Sequence, residues 1–407
     1  MTSSSRFFPG PVLGDALGVG PSGLELDGTP VADLARRLGT PLYVYGRQTL
    51  RRRFAELRAA LTSTGRPFEI RYAMKSNRFG PVLELVRELG LKVDTCSPRE
   101  IERALQHGFA PSELSLTAGM LSQRDLAQVA RFGVQPNLDT FSVLRRWAEV
   151  LARHPELSRR IGLRINPEVS VGWGQDPKLA YGNSKFGFDQ AQVQEAVEFA
   201  QRLGLVIDEV HMHVGWGLQQ SAAGALRDVF GRLAGFARSI ETVRTVNVGG
   251  GLCWKYRPED EPLSLGTWRE LLAEALRELP PEVRIACEPG TYVTSAAGVL
   301  VVEVTTLERR QSGTWVGVDA GHPVNVFAAL YGIPMACLPV KDPTAPEGPP
   351  VHIAGNVNEA NDIFARHRPL PAVAEGDLLA FWPAGAYGTS QSSDHCLRGQ
   401  PAEVLVG

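Results

Sequence analysis

The sequence predicts an α/β protein: a (β/α)8 TIM barrel followed by an all-β domain. Three observations carry that reading. Between Phe68 and Gly290, short runs rich in Val, Ile and Leu alternate with amphipathic segments, the rhythm of parallel strands linked by helices. After Gly290 the helical spacing stops, and β-type runs are joined by Pro- and Gly-rich turns. A length of 407 residues exceeds what one small core organises, so two domains are expected.

Residues 1–40 form an N-terminal segment whose strand-like "GLELDGTPV" assigns it to the β domain. The barrel is expected over residues 41–290, preceded by an extra helix at about Arg47–Leu61. Its strands are read from "FEIRYAM", "LKVDTC", "LSLTAG", "VQPNLD", "IGLRINP", "VIDEVHMHV", "TVNVGGG" and "VRIACEPG". None shows the polar alternation of a half-exposed sheet. Segments such as "GPVLELVRELG", "REIERALQHG", "SQRDLAQVARFG" and "TWRELLAEALRELP" supply helical connections; several end at Gly, a common helix stop. Residues 291–407 form the second domain, with strands read from "GVLVVEVTTLERR", "TWVGVDAG", "PPVHIAG", "GDLLAFWPAG" and "PAEVLVG". The stretch "ACLPVKDPTAPEGPP" is read as a loop.

Composition narrows the function. Apolar residues make up 43% and the formal net charge is -2, a balance that argues against nucleic acid or anionic membrane as the main partner. No stretch approaches the roughly 18 apolar residues that span a bilayer. The opening "MTSSSRFFPGPVLGDALG" lacks the basic-then-apolar order of a secretory signal. Cysteines 96, 253, 287, 337 and 396 are scattered without CxxC spacing, so reduced thiols in a cytoplasmic protein are expected and no metal site.

The carboxyl ends of barrel strands face the active site. Nearly every strand ends there in a residue with chemistry: Lys75, Asp94, Asp139, Arg164, His213, Gly249-Gly250-Gly251 and Glu288. Singly, a strand-end Asp caps a helix and a glycine triplet makes a tight turn. Together on one rim they read as a site. The glycines let backbone amides approach a phosphate. An amine, a carboxylate and an imidazole beside that anion site fit pyridoxal 5'-phosphate, with Lys75 forming the Schiff base. The carboxylate would pair with the pyridinium nitrogen and keep the ring an electron sink.

With those residues in place, the chain resembles the fold-type III pyridoxal-phosphate decarboxylases, the group of diaminopimelate and ornithine decarboxylases. The motifs are "YAMKSN", "VDTCSPREI", "LRINP", "SKFGF", "HMHVG", "NVGGGL", "EPG", "GAYG" and "GNVNEANDIFARHRPLP", spread over almost the whole chain. The resemblance implies cofactor binding by Lys75, Asp94, Glu100, Arg164, His213, Gly249, Gly250, Gly251, Glu288 and Tyr387. It implies catalytic duty for Lys75, His213, Glu288, Asn358 and Glu359. Asn358 and Glu359 would enter the neighbouring subunit's site, making a homodimer. Trp216, Thr291, Phe327, Tyr331, Asn358 and Glu359 would line the substrate pocket.

The departures shape the expected substrate and mechanism. Thr291 and Phe327 stand where diaminopimelate decarboxylases carry arginines, Trp216 where the family has a phosphate-binding serine, and Gly332 near the acidic residue of ornithine decarboxylases. Without planar bidentate partners for a distal carboxylate, the substrate is expected to be a small or modified amino acid other than diaminopimelate. Asn358 replaces a cysteine, and an amide cannot protonate the carbanion at Cα. Lys75, His395 or Cys396 could supply that proton. Alternatively the proton lands on the cofactor, giving decarboxylative transamination. Alanine racemases share the barrel but place an arginine where Glu288 stands, so a decarboxylase ranks above a racemase or epimerase. A non-catalytic cofactor-binding regulator is the remaining reading; such chains tend to lose the lysine or the phosphate loop, and both are kept here.

Overall fold

Eight parallel runs that bury apolar side chains on both faces need cover on each, and here they close on one another. The structure is a computed structural model and describes residues 13–172, 184–257 and 259–407. The first part of the N-terminal segment, residues 1–12, lies outside the described residues. The next residues give four strands: β1 (Leu17–Gly20), β2 (Gly23–Leu26), β3 (Thr29–Pro30) and β4 (Leu42–Gly46). A helix over Arg47–Thr62 leads into the barrel. Strands β5 (Phe68–Ala73), β6 (Lys92–Thr95), β7 (Leu114–Thr117), β8 (Gln135–Leu138), β9 (Arg160–Arg164), β10 (Val206–His211), β11 (Thr245–Asn247) and β12 (Arg284–Cys287) follow. They form a closed barrel in which β12 pairs in parallel with β5.

Local chemistry fixes where the connecting helices begin. Ser97 accepts from the Glu100 amide at 3.2 Å, with Pro98 in the first turn. Ser122 and Asp125 exchange bonds across the next helix start, and Thr140 accepts from the Val143 amide at 3.2 Å. Each such cap contributes ~1 kcal/mol. The helices bury one face on the barrel, with Leu126, Val129, Leu144, Val150, Leu226 and Leu233 in one core.

The barrel interior is unusually polar. Arg71 pairs with Glu209 at 2.7 Å and with Glu69 at 3.0 Å. Asn247 Nδ2 donates to Glu209 Oε1 and to Glu288 Oε1, both at 2.8 Å. His211 Nε2 lies 3.1 Å from Glu288 Oε2, and Thr117 donates to Glu288 Oε1 at 3.3 Å. One network therefore runs from the amino ends of the strands to the carboxyl rim.

The second domain contains β13 (Gly298–Arg310), β14 (Gly313–Val318), β15 (Ala336–Pro339), β16 (Pro350–Ala354), β17 (Ile363–Pro369), β18 (Leu378–Trp382) and β19 (Ala402–Val406). Strand order is β15-β18-β13-β14-β16-β17, with β4 joining β13 to β19. The expected loop at "ACLPVKDPTAPEGPP" is corrected at its start. Ala336–Pro339 is a strand because β18 offers it a pairing edge, and Ala336 and Cys337 are buried there. The N-terminal strands pack into this domain: Leu24 donates its amide to Val340 O at 2.7 Å, and Leu17, Leu24 and Leu26 share a core with Val299, Val301 and Trp382.

Candidate active site

Lys75 follows β5 in a single 3-10 turn, Met74–Ser76. Both domains clamp that turn. Ser76 Oγ donates to Ala73 O at 2.8 Å, and Asn77 Nδ2 donates to Gly385 O at 3.1 Å. The Tyr387 amide donates to Ser76 O at 2.6 Å. Tyr387 adopts φ 57, a left-handed conformation uncommon outside glycine and a marker of functional positions.

The rim residues converge on the Lys75 amine. Cys96 Sγ lies 3.6 Å from Nζ, and the Cys96 amide is fixed by Glu100 Oε2 at 2.7 Å. The Lys75 amine is held well above the ordinary lysine range, with ionised Cys96 the largest contributor, ahead of Asp94, Tyr387 and Glu288. Yet burial pushes the Cys96 thiol up to about 12, so at neutral pH the ammonium answers to the carboxylates. Burial and neighbouring Glu288 raise Asp94 well above its usual range. Burial opposes ionisation of Glu288 too, but His211, Lys75 and Asn247 outweigh it and hold Glu288 below the ordinary carboxylate range. One negative charge is thus divided between two buried carboxyls, and Glu288 keeps it.

His213 is kept neutral by burial, reinforced by Lys75 and Arg164. Its Nδ1 accepts from the Gly250 amide at 3.1 Å. A Cβ on Gly250 would stand 2.5 Å from Glu288 O, and one on Gly249 would stand 2.8 Å from His213 Nδ1. These glycines bring bare backbone against the rim, the cradle a phosphate needs. Asp94 Oδ2 is buried without a hydrogen-bond partner while Oδ1 accepts from Ser115 at 3.1 Å. An amine, a neutral imidazole, an ionised carboxylate and a glycine cradle on one rim fit pyridoxal phosphate.

Asp139 and Arg164 are buried at the same end, and the Arg164 guanidinium lies 4.3 Å from the Phe186 ring centre. Trp216, Phe327, Tyr331 and Tyr387 form an aromatic cluster, with Phe327 5.6 Å from Trp216 and 5.0 Å from Tyr387. Thr291 is buried and donates to Leu252 O at 3.1 Å. Asn358 and Glu359 stand apart, exposed on the turn between β16 and β17, where Glu359 meets His395 at 3.2 Å.

Sequence reasoning missed Arg71, Glu209, His211 and Asn247 beneath the rim, and Cys96 on the rim itself. A signal was available. Glu209, His211 and His213 occur at alternate positions of one run, so all face the barrel interior.

The model of the pyridoxal-dependent decarboxylase family's pyridoxal binding domain matches residues 47–295. The diaminopimelate decarboxylase of Methanothermobacter thermautotrophicus is 33% identical over 393 residues, 94% of this chain and 90% of that protein. That of Streptomyces coelicolor is 32% identical, over 94% of this chain and 88% of its own. The crystal structure of diaminopimelate decarboxylase from Helicobacter pylori complexed with L-lysine superposes with TM-score 0.84 at 26% identity, covering 92% of this chain and 94% of that one.

These relatives overturn the expectation of a substrate other than diaminopimelate. That expectation rested on Thr291, Phe327 and Trp216 as reporters of pocket polarity. Thr291 spends its hydroxyl on the Leu252 carbonyl, and Phe327 and Trp216 pack on one another. Their identities follow local packing.

Proposed function

The chain belongs to the pyridoxal-dependent decarboxylases, and from that premise we propose that it decarboxylates diaminopimelate. Removing one carboxylate from that seven-carbon diamino diacid leaves lysine, the molecule in the Helicobacter pylori complex. The convergence of Lys75, His213 and Glu288 on one rim, in a chain so close to diaminopimelate decarboxylases, carries the reading.

Bound there, pyridoxal phosphate supplies the sink for the electron pair released with carbon dioxide. Lys75 offers the amine that takes the aldehyde. Gly249, Gly250, Gly251 and Tyr387 would hold the phosphate. His213, kept neutral, would lie against the ring face, and Glu288, kept ionised, would pair with the pyridinium nitrogen. Asp94, Glu100 and Arg164 complete the shell. Thr291 and Phe327 carry no guanidinium, so other groups hold the distal carboxylate. The enzyme is a homodimer whose Asn358 and Glu359 enter the partner subunit's site, divided into a barrel and a β domain (residues 291–407) whose sheet also takes in Leu42–Gly46. All five cysteines are free, in keeping with a cytoplasmic location.

The test is turnover of diaminopimelate stereoisomers by holoenzyme, with lysine and carbon dioxide measured together. Stoichiometric lysine supports the reading; its absence from every stereoisomer overturns it. Borohydride reduction is expected to fix the cofactor on Lys75 and to leave Lys75→Ala unlabelled.

A further inference from the structure

The turn between β16 and β17 is built rigidly and then left exposed at its tip. Asp362 is buried; its Oδ1 accepts from the His322 amide at 2.6 Å and its Oδ2 from the Val357 amide at 2.9 Å. Asn356 donates to Asp319 O at 2.6 Å. Asn358 to Asn361 project into solvent above this base.

A second loop comes to meet that tip. The Ser393 amide donates to Pro323 O at 3.0 Å, and His395 Nε2 lies 3.2 Å from Glu359 Oε1. The His322 ring, bonded to Asp362 at 3.3 Å, stands 6.2 Å from the His395 ring. Immediately after His395, Cys396 and Leu397 take φ 58 and 50. Two consecutive left-handed residues without glycine cost ~1–2 kcal/mol each, and Leu397 is 84% exposed. Strain of this kind persists where the local geometry serves a purpose. Here it immediately follows the residue that meets Glu359.

We propose that His395, paired with Glu359, is the acid that delivers the Cα proton in the partner subunit's site. The proposal rests on the reading of the chain as a homodimeric decarboxylase with shared sites. Asn358 is an amide and cannot give a proton, whereas an imidazole can act as a general acid. In the imidazolium, Nε2–H is bonded to Glu359 and Nδ1–H is the hydrogen to give. The electron pair left by carbon dioxide forms the new C–H bond. The N–H electrons stay on the ring, and water returns the proton after product leaves.

The experiment follows products of diaminopimelate turnover by mass in wild type, His395→Gln and His395→Ala. The proposal expects lysine to fall at least roughly tenfold relative to carbonyl product in both variants, with added imidazole restoring lysine in His395→Ala. Purified mixed dimers of Lys75→Ala with His395→Gln hold one complete site each, so roughly half of wild-type lysine formation should return. A readout independent of turnover and of any variant is carbethoxylation of wild-type holoenzyme, where lysine should slow labelling of His395. Unchanged lysine-to-carbonyl ratios, mixed dimers no better than their parents, or labelling indifferent to lysine each overturn the role of His395. Wild type that forms no lysine fails the functional reading itself, and this inference falls with it.

Discussion

Cys96 Sγ stands 3.6 Å from Lys75 Nζ at the ends of two adjacent barrel strands. A thiol beside an ammonium is the usual recipe for a reactive thiolate. Here burial prevails and pushes Cys96 up to about 12 despite Lys75. Burial likewise pushes Cys253, Cys287 and Cys337 up to about 12. Cys396 alone is exposed. Iodoacetamide at pH 8 should therefore label Cys396 first and reach the other four only after denaturation, read by peptide mass. Labelling of Cys96 as fast as Cys396 would mean that Lys75 holds a thiolate.

The two buried carboxyls at the rim should respond to mutation in opposite directions. Glu288, depressed when folded, adds stability that is fully present above the unfolded carboxyl range near ~4 and is lost as pH falls toward the folded value. Asp94, raised when folded, has the reverse sign: its contribution is complete below ~4 and is lost as pH climbs toward the folded value. In cofactor-free protein at pH 7.5, Glu288→Gln should lose about 1–3 kcal/mol of stability. Asp94→Asn should denature at least as late as wild type. Urea midpoints of the two variants check this, and a destabilised Asp94→Asn would refute the division of charge.

Why the barrel was legible and its interior was not has a physical answer. Val, Ile and Leu runs such as that around Val93 declare buried parallel strands because both faces must be apolar. Lys75 and Glu288 stood out because each ends such a run. Arg71 and Asn247 lie inside runs, where a single polar residue reads as noise until its partner on another strand is known. The Arg71–Glu209 pair spans 138 positions of chain, and nothing local announces it. Ala336–Pro339 was missed for a related reason: its pairing comes from β18, and its own residues resemble the loop that follows. The approach of His395 to Glu359 joins two loops that only the fold brings together.

Arg71 supports the barrel from its amino end. Burial alone would lower its basicity, but Glu209 and Glu69 reverse that and hold it above the ordinary range. Removing one member of a buried ion pair strands the other. Arg71→Met should therefore cost about 3–5 kcal/mol, seen in chemical denaturation. The double variant Arg71→Met/Glu209→Leu should recover much of that loss, because apolar residues of similar volume replace such pairs well. No recovery would mean that Asn247, left without its Glu209 acceptor, carries the larger share of the network's stability.

Gly250 offers the sharpest test of the anion cradle. Any Cβ there would press to 2.5 Å on the Glu288 carbonyl oxygen, a backbone atom that cannot swing aside as a side chain would. The Glu288 amide is itself bonded to Gly249 O at 2.7 Å, so the two strand ends would have to part. Gly250→Ala should therefore displace the loop and the Glu288 carboxylate together. Overpacking of this kind costs about 1–3 kcal/mol, and the lost registry should weaken cofactor binding by roughly tenfold or more. Fluorescence titration of cofactor-free protein with pyridoxal phosphate measures it. Gly224, whose Cβ would meet nothing within 4 Å, serves as the control, and Gly224→Ala should bind as wild type does. Equal affinity in both variants would show that the phosphate is held elsewhere.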